Sequence, residues 1–483
     1  MSEHQARTEH PPKFTRSLSG FGVIILTLSV LSPGVSVLVS GGAILTEAGT
    51  GTVLAFVLGS LVCYCQTSMA AELGAAYPTA GYDYAAIGHA IGDWAGATTY
   101  IASIFSIPLF LSTSAVGIAI YLQPFGIALS PNAITFIVVA VITVLSLLNI
   151  RANEGITGIF MLIEGTALLL IAIVGVIHPQ PGAASAMIHP VRIDNGMWVA
   201  AGIAITGIAI NNASWALAGA SQALMFSEDM KRPETVGRII MLAFAITVVL
   251  ETAPMIGVIA GAHDLRAVLS SDSPFETFLA YYLPDFVLKL VSLSIAIAIF
   301  NACLAGFVGI GRNVFSMART RLFARPINRI LLHLIPKTDA PWVAIVLIGA
   351  STALATYIPL YFKVLVLSGN YTILTAFYVW GVLAGRRSGR TGVGRYRTPA
   401  WPLIPLIGIA IVVGEVVVLW LDPESGRKSL FVCTGIYLLA YCYYRFVLMR
   451  RPAGWVMTGP EDIDAETAAR TRPPDLQHQP VSL

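Results

Sequence analysis

Long apolar stretches, each close to the length of a membrane-spanning helix, alternate with short polar segments along most of the chain. An α-helix needs about 20 mainly apolar residues to cross the hydrocarbon core of a bilayer. The pattern therefore predicts an all-α membrane protein with twelve spanning helices. The predicted spans cover residues 18–46, 51–75, 94–122, 133–150, 156–177, 197–227, 237–262, 279–311, 341–358, 361–385, 401–421 and 429–449.

Polar segments of mixed charge precede and follow this apolar region. Residues 1–17 lack the apolar core and the cleavage site of a signal peptide. Residues 451–483 are rich in Pro, Asp, Glu, Thr and Gln. Both compositions are typical of disordered tails. The predicted organisation is a cytoplasmic tail over 1–17, a transporter core of helices 1–10 over 18–400, helices 11 and 12 over 401–450, and a second cytoplasmic tail over 451–483.

The distribution of basic residues tests this arrangement. When both tails are placed in the cytoplasm, 23 of the 29 Lys and Arg residues fall on the cytoplasmic side and 6 fall on the other side. Cytoplasmic loops of membrane proteins carry an excess of Lys and Arg. The asymmetry therefore favours twelve spans with both termini in the cytoplasm, and we expect the protein in the inner membrane of a bacterium.

The amino-acid composition limits the classes of function that the protein can have. Apolar residues make up 56% of the chain and charged residues 11%, with a mean hydropathy of +0.76, whereas soluble domains carry about 25% charged residues. The net charge of +3 is too small to indicate nucleic acid as a partner. The five cysteines and eight histidines are scattered and form no metal or redox motif, so we expect no cofactor and no metal.

Two predicted spans, the first and the sixth, are longer than a bilayer requires. Residues 17–46 and 195–226 are uncharged, and at 1.5 Å per residue either would form a helix of about 45 Å. Each contains a stretch that is unsuited to a continuous helix, "SPGVS" over Ser32–Ser36 and "NNASWALAG" over Asn211–Gly219. Pro33 cannot donate a backbone hydrogen bond, and its ring clashes with the preceding helical turn.

Breaks in spans one and six, five helices apart, indicate two related halves of the chain. Paired interruptions at corresponding positions are typical of transporters that bind substrate near the middle of the membrane. The alternative is that both helices tilt and tolerate a Pro or Gly. A broken helix exposes N–H groups that favour a carboxylate and carbonyl groups that suit an ammonium. We therefore expect an amphoteric solute at the breaks, with Trp215 either as its cover or as ordinary helix packing.

Three segments beside the predicted spans carry the motifs of a known family. They read "GASQALMFSEDMKRPETVGRII" over 219–240, "MAAELGAAYPTAGYDYAAIG" over 69–88 and "FVGIGRNVFSMARTRLF" over 307–323. In combination they resemble the amino acid–polyamine–organocation permeases, with Tyr82 and Gly311 replacing a Gly and a Ser of the usual motifs. The stretch "SPGVSVLVSGG" looks closest to the GABA and choline branch. The resemblance implies a LeuT-like 5+5 inverted repeat with broken helices 1 and 6 and a rocking-bundle transport mechanism.

The resemblance also implies a substrate site at the two breaks. In similar arginine/agmatine antiporters an acidic residue follows the gating Trp by six positions, and Ser221 occupies that position here. Neutral amino acids or GABA-like zwitterions are therefore favoured over a dibasic substrate. Whether Asn211, Asn212 and Ser214 contact substrate or only satisfy the unwound backbone stays open. The candidate substrate-binding residues are Ser32, Gly34, Val35, Ser36, Asn211, Asn212, Ser214, Trp215, Ala216, Gly219 and Ser221.

Three glutamates, Glu164, Glu251 and Glu415, lie inside predicted spans, where ionisable residues are rare and commonly functional. Glu164 falls where similar permeases carry a helix-five Lys near the vacated sodium site. It is therefore the candidate for proton coupling, and the alternative is a structural partner for a hydroxyl or an amide. For Glu251 and Glu415 we expect side chains that turn their carboxylates toward gaps between helices.

Three further acidic residues, Glu72, Glu228 and Asp229, lie at the predicted inner ends of helices two and six. We expect them to pair with Lys and Arg residues of the loops as parts of a cytoplasmic gate. The alternative is that they only anchor the helix ends.

The expected function is secondary active transport of amino acids or related amines by alternating access, coupled to protons. The expected partners are a small-molecule substrate, the proton and the lipid bilayer. The alternative within this class is an exchanger for GABA, a polyamine or a choline-like amine. A membrane enzyme would need a nucleophile or metal motif, and a channel or sensor would need a continuous polar stripe or a soluble module; none of these is found. Candidates for side-chain selectivity are Tyr100, Phe105, Asn301 and Tyr371.

Overall fold

Helices make up most of the computed structural model, which describes residues 14–122, 129–148, 150–271, 273–421, 423, 426–451, 455 and 457. The α-helices are α1 Gly20–Leu31, α2 Pro33–Val35, α3 Gly42–Ala48, α4 Gly51–Ala76, α5 Tyr82–Ile91, α6 Asp93–Leu122, α7 Pro131–Leu145, α8 Ile150–Ile177, α9 Ala183–Ile188, α10 Ile203–Ala216, α11 Val236–Gly261, α12 Leu265–Leu269, α13 Pro274–Ala280, α14 Asp285–Arg319, α15 Arg325–Leu331, α16 Trp342–Ala355, α17 Leu360–Arg387, α18 Leu403–Leu421 and α19 Gly426–Tyr443. Shorter helical segments are the π-helical Ser36–Gly41 and Tyr444–Leu448 and the 3₁₀-helical Ala220–Asp229, Pro233–Thr235 and Arg390–Val393.

A helix lies in every one of the predicted apolar segments. Within the described ranges, eight helical stretches are long and apolar enough to cross a membrane, and two shorter apolar helices accompany them. The predicted spans 341–358 and 361–385, which only two residues separate, are distinct helices, α16 and α17. Most of the predicted tails, 1–17 and 451–483, lie outside the described residues.

Several predicted boundaries differ from the observed ones by five residues or more, and two of these differences have a clear physical cause. The predicted span 197–227 begins with a β-strand, because β1 Val191–Asp194 and β2 Met197–Ala200 form an antiparallel hairpin. Asn195 and Gly196 both have positive φ values, as a two-residue hairpin turn requires.

The second error concerns the predicted span 279–311, which corresponds to α14. This helix begins at Asp285 and ends at Arg319. The prediction ended the span at residue 311 and placed Arg312 in a loop, whereas the helix buries both Arg312 and Arg319 beside carboxylates.

The interrupted first helix lies at the centre of the molecule. α1 packs against α8, α11, α14 and the 3₁₀ segment Ala220–Asp229. α8 and α11 meet backbone to backbone: a Cβ atom on Gly175 would lie 1.9 Å from the carbonyl oxygen of Gly257. Small residues at such contacts are typical of helices that associate inside a bilayer, where close packing replaces the hydrophobic effect.

Large apolar side chains cover the outside of the helix bundle. Leu162 and Ile177 on α8 are 72% and 62% exposed, and Val413 and Leu421 on α18 are 57% and 71% exposed. Many large apolar side chains exposed in this way mark contact with lipid in a protein of this composition. The fold therefore places an apolar outer surface around a centre that contains the broken helix.

Candidate functional site

The first break in a helix lies where the sequence predicts it. α1 ends at Leu31, and Ser32 adopts a left-handed conformation with φ 49°. The three-residue α2 follows, then the π-helical segment Ser36–Gly41, and only at Gly42 does a regular α-helix resume. Pro33 begins α2, where its missing N–H costs nothing because the first turn of a helix has no intrahelical acceptor for it.

The second break is shorter than the predicted stretch Asn211–Gly219. α10 continues through Ala216, so Asn211 and Asn212 lie in regular helix, and the Ser214 hydroxyl donates to the Asn211 carbonyl at 2.8 Å. The chain leaves helical geometry at Gly219, whose φ of 125° would strain any residue with a Cβ atom. The polar residues of this stretch therefore belong to the helix that precedes the break.

The two breaks are joined by a hydrogen bond. Ser36 Oγ donates to the carbonyl oxygen of Ala216 at 2.9 Å. Ala216 is the last residue of α10, and the final carbonyls of a helix have no intrahelical partner. The first broken helix thus caps the end of the second.

A cavity of about 320 Å³ lies where the two breaks meet. Of the predicted site residues, Ser32, Val35, Ser36, Trp215, Ala216, Gly219 and Ser221 line it. The other walls come from α4, α5, α6, α14 and α17, and none of the described residues lining the cavity carries a formal charge. The other four predicted residues, which are not among its lining residues, are Gly34, Asn211, Asn212 and Ser214.

Trp215 presents its indole to this cavity from the last turn of α10. The side chain is 41% exposed, so the surrounding helices do not enclose it. An indole in this position can cover a bound solute and offer its face to a cation.

Glu164 on α8 reaches the first break. Its Oε1 atom accepts hydrogen bonds from the Gly34 backbone N–H at 2.5 Å and from Ser32 Oγ at 3.0 Å. Glu251 on α11 lies beside Ser36, and both carboxyl groups are buried. The helix-start N–H that we expected to hold a substrate carboxylate is therefore engaged by a carboxylate of the protein.

Asp83 in α5 is a buried carboxylate that lies behind the cavity. It was not among the site residues predicted from the sequence. Its Oδ2 atom accepts hydrogen bonds from Tyr378 Oη at 2.5 Å and from Ser221 Oγ at 3.3 Å. Both donors line the cavity, as does Tyr82. Burial raises the pKa of Asp83 from 3.8 to about 7, although these hydrogen bonds oppose the rise. The aspartate in "YDY", two residues after the family's Ala-Gly pair, was the available signal.

The three acidic residues predicted at helix ends are buried, and each pairs with an arginine that lies in a helix rather than in a loop as predicted; the Arg386 side chain is 18% exposed. In each pair, nitrogen and oxygen atoms approach to between 2.5 and 2.7 Å. An exposed ion pair contributes little to stability, whereas removing one partner of a buried pair is costly because a charge is left uncompensated. The pairs are Glu228–Arg319, Asp229–Arg312 and Glu72–Arg386.

Of the four candidates for side-chain selectivity, the structure places one at the cavity. Tyr371 lines the cavity, whereas Tyr100 and Asn301 are fully buried away from its lining. Phe105 is 54% exposed and is not a lining residue. Across the described residues, no group of three or more His, Cys, Asp or Glu is placed to hold a metal ion.

Apolar helices packed around a cavity at two interrupted helices are typical of a membrane transporter of small molecules. The chain belongs to the amino acid permease family, whose model matches residues 18–441. It is similar to uncharacterized transporters of Mycobacterium bovis and Mycobacterium tuberculosis, with 23% identity over 452 residues that cover 91% of this chain and 94% of each relative.

These comparisons confirm the resemblance to the amino acid–polyamine–organocation superfamily. The protein is an integral membrane transporter and not an enzyme, because the family and the relatives are transporters.

Proposed function

We propose that the protein moves an amino acid or a related amine across the inner membrane of a bacterium by alternating access, with proton coupling. The observation that carries this proposal is the cavity at the junction of the two broken helices. Backbone carbonyls and N–H groups at helix breaks can hold an ammonium and a carboxylate without charged side chains. The uncharged lining of the cavity fits such recognition.

Glu164 supplies the proposed link to the proton. When ionised, its carboxylate accepts from Gly34 N–H and Ser32 Oγ, which ties α8 to the start of the second half of the first helix. Protonation removes the negative charge that strengthens these hydrogen bonds. A substrate carboxylate can then accept from Ser32 Oγ, which lines the cavity. Proton binding and substrate binding are thereby coupled through one shared donor.

The buried ion pairs are proposed as the cytoplasmic gate. Glu228 and Asp229 end the 3₁₀ segment that follows the second break, and both reach α14. Opening a path from the cavity to this end of the helices requires the segment to separate from α14. The proposal includes twelve membrane crossings, a LeuT-like 5+5 inverted repeat and cytoplasmic termini, supported by a helix in every predicted span and by the asymmetry of basic residues.

Uptake by purified protein in proteoliposomes tests this function. Radiolabelled amino acids and amines are supplied with and without an inward proton gradient, and with and without substrate inside. Acceleration by the gradient is expected for proton-coupled uptake. Acceleration only by internal substrate would replace symport with exchange, and no uptake of any amino acid or amine would overturn the proposal.

A further inference from the structure

A buried hydrogen-bond network connects α18 to the cavity wall. Gln66 on α4 donates from Nε2 to Glu415 Oε1 at 3.1 Å and to Thr375 Oγ1 at 3.2 Å. Tyr371 Oη donates to Gln66 Oε1, and Thr375 Oγ1 donates to the Tyr371 carbonyl oxygen at 3.0 Å. Gln66, Thr375 and Glu415 are each at most 6% exposed.

The partners determine which way the Gln66 amide points. The amide oxygen and nitrogen have similar shapes, so the hydrogen-bond network must assign them. Thr375 has one hydroxyl proton, which it donates to a backbone carbonyl, so toward Gln66 it can only accept. An ionised Glu415 can also only accept. The amide nitrogen therefore faces these two residues, and the amide oxygen faces Tyr371.

This orientation sets the role of the Tyr371 phenol at the cavity. Its single proton is used on Gln66 Oε1, and its oxygen keeps lone pairs that accept hydrogen bonds. Both donors of the Gln66 amide are also used, so Gln66 offers no N–H to a ligand. Tyr371 and Gln66 both line the cavity, and together they give this part of its wall acceptor character.

We propose that Glu415 is a positioning residue that acts through Gln66 to hold Tyr371 as a hydrogen-bond acceptor, so that the site selects ammonium groups that carry N–H over fully methylated ones. An N–H ammonium donates to the phenol oxygen, whereas a quaternary ammonium has no proton to donate. The proposal rests on the cavity being the substrate site of the transporter proposed above.

Binding of matched ligand pairs to the purified full-length protein tests the inference. The probes are ethanolamine with choline, glycine with trimethylglycine, and GABA with its trimethylated form, measured by calorimetry and thermal shift. In each pair that binds, the N–H member is expected to bind about tenfold more tightly, as one hydrogen bond to a charged group contributes. Equal affinity within the pairs, or no binding of any member, would overturn the inference.

Three substitutions separate positioning from a general structural effect. Tyr371→Phe keeps the ring and removes the acceptor. The ratio of the affinities within each ligand pair is therefore expected to fall to about one. Glu415→Met removes the acceptor for Gln66 and is expected to weaken the preference. Glu415→Gln restores an acceptor oxygen and is expected to recover it. A preference that survives Tyr371→Phe, or fails equally in both Glu415 variants, contradicts the proposed relay.

The control and the transport assay complete the test. Tyr441→Phe removes an exposed phenol on α19 that is not a lining residue, and it should leave the preference unchanged. Transport of substrate by a protein that binds both members of every pair equally would refute this inference alone. A preference in binding without any uptake in proteoliposomes would refute the transport proposal alone.

Discussion

Ser36 Oγ donates a hydrogen bond to the Ala216 carbonyl oxygen at 2.9 Å, although 180 residues separate the two positions in the chain. One residue belongs to the break in the first helix and the other ends the helix before the second break. The two interruptions therefore form a single connected structure at the cavity. We expect a displacement of one broken helix to be transmitted to the other through this bond.

Removing the Ser36 hydroxyl should separate the two breaks. Ser36→Ala leaves the Ala216 carbonyl without its side-chain donor, and an unsatisfied buried group costs about 1–3 kcal/mol. We expect a lower melting temperature and weaker substrate binding, measured by thermal unfolding and calorimetry on the detergent-solubilised protein. Ser36→Thr keeps a hydroxyl and should retain most of both properties.

A matched control for this change is Ser60→Ala. The Ser60 hydroxyl bonds to the Val57 carbonyl oxygen within its own helix, at 2.7 Å. This substitution should leave substrate binding as it is in the wild type. If Ser36→Ala behaves like Ser60→Ala, the hydrogen bond between the breaks has no role in binding.

Truncation of Trp215 should cripple transport. The indole borders the cavity, and Trp215→Ala removes the surface proposed to cover the solute. We expect initial uptake in proteoliposomes to fall by about tenfold or more, a typical loss when an aromatic anchor of a binding site is truncated. Trp215→Phe should keep part of the activity.

Trp420→Ala provides the comparison for Trp215, because Trp420 is half exposed at the end of α18 and does not line the cavity. Its uptake should match the wild type. Near-normal uptake by Trp215→Ala would instead assign the indole to helix packing.

Neutralising Glu164 should uncouple uptake from the proton gradient. Glu164→Gln keeps an oxygen that accepts from Gly34 N–H and cannot take up a proton. We expect uptake that no longer accelerates with an inward proton gradient, together with exchange of internal for external substrate at a rate close to wild type. Glu154→Gln, on the same helix, should remain gradient-driven. Gradient-driven uptake by Glu164→Gln would exclude this residue as the proton carrier.

Breaking the Glu228–Arg319 pair should destabilise the protein and impair transport together. Glu228→Gln leaves Arg319 as a buried charge, a change that costs about 3–5 kcal/mol. The double variant Glu228→Gln/Arg319→Gln should lose less than the sum of the two single changes, which a double-mutant cycle on thermal unfolding measures. Wild-type uptake by a folded Glu228→Gln protein would rule out a gate at this position.

The exposed pair Arg192–Asp194 is the reference for that cycle, since its aspartate side chain is 46% exposed. Asp194→Asn should change the unfolding free energy by less than about 1 kcal/mol. It should also leave uptake unaffected.

Asp83 should make stability depend on pH. Its pKa is raised by burial to about 7, so the folded protein binds this proton more tightly than the unfolded chain. The resulting stability is fully present below about pH 4 and is lost as the pH rises through about 7. Between about pH 5 and about pH 8 the melting temperature of the wild type should fall more than that of Asp83→Asn. Identical pH profiles would show that Asp83 is ionised throughout this range.

The sequence predicted the helical segments and the first break because both depend on local chemistry. Apolar length identifies a spanning helix, and Pro33 interrupts one wherever it falls in the interior. The extent of the second break was not predictable in this way. Asn211 and Asn212 are weak helix formers, yet both lie in regular helix in α10, because tertiary packing overrides such preferences.

The hydrogen-bond partners of the buried carboxylates could also not be predicted from local sequence patterns. The hydrogen bond between Glu164 and Gly34 joins residues 130 positions apart in the sequence, and the one between Asp83 and Tyr378 joins residues 295 positions apart. Such contacts follow from the packing of helices, and periodicity reports only which face of a helix is apolar. Acidic residues at helix ends were easier to interpret, since a buried charge requires an opposite charge nearby.

Glu228 and Asp229 attach one segment to α14 at two points, through Arg319 and Arg312, which lie about 10 Å apart along that helix. Two attachments so far apart prevent the segment from swivelling about either one. Breaking one ion pair while the other stays intact would leave a buried charge without its counterion. States in which only one pair is broken are therefore high in free energy. In the proposed gate, we therefore expect both ion pairs to break and form together, in one cooperative step.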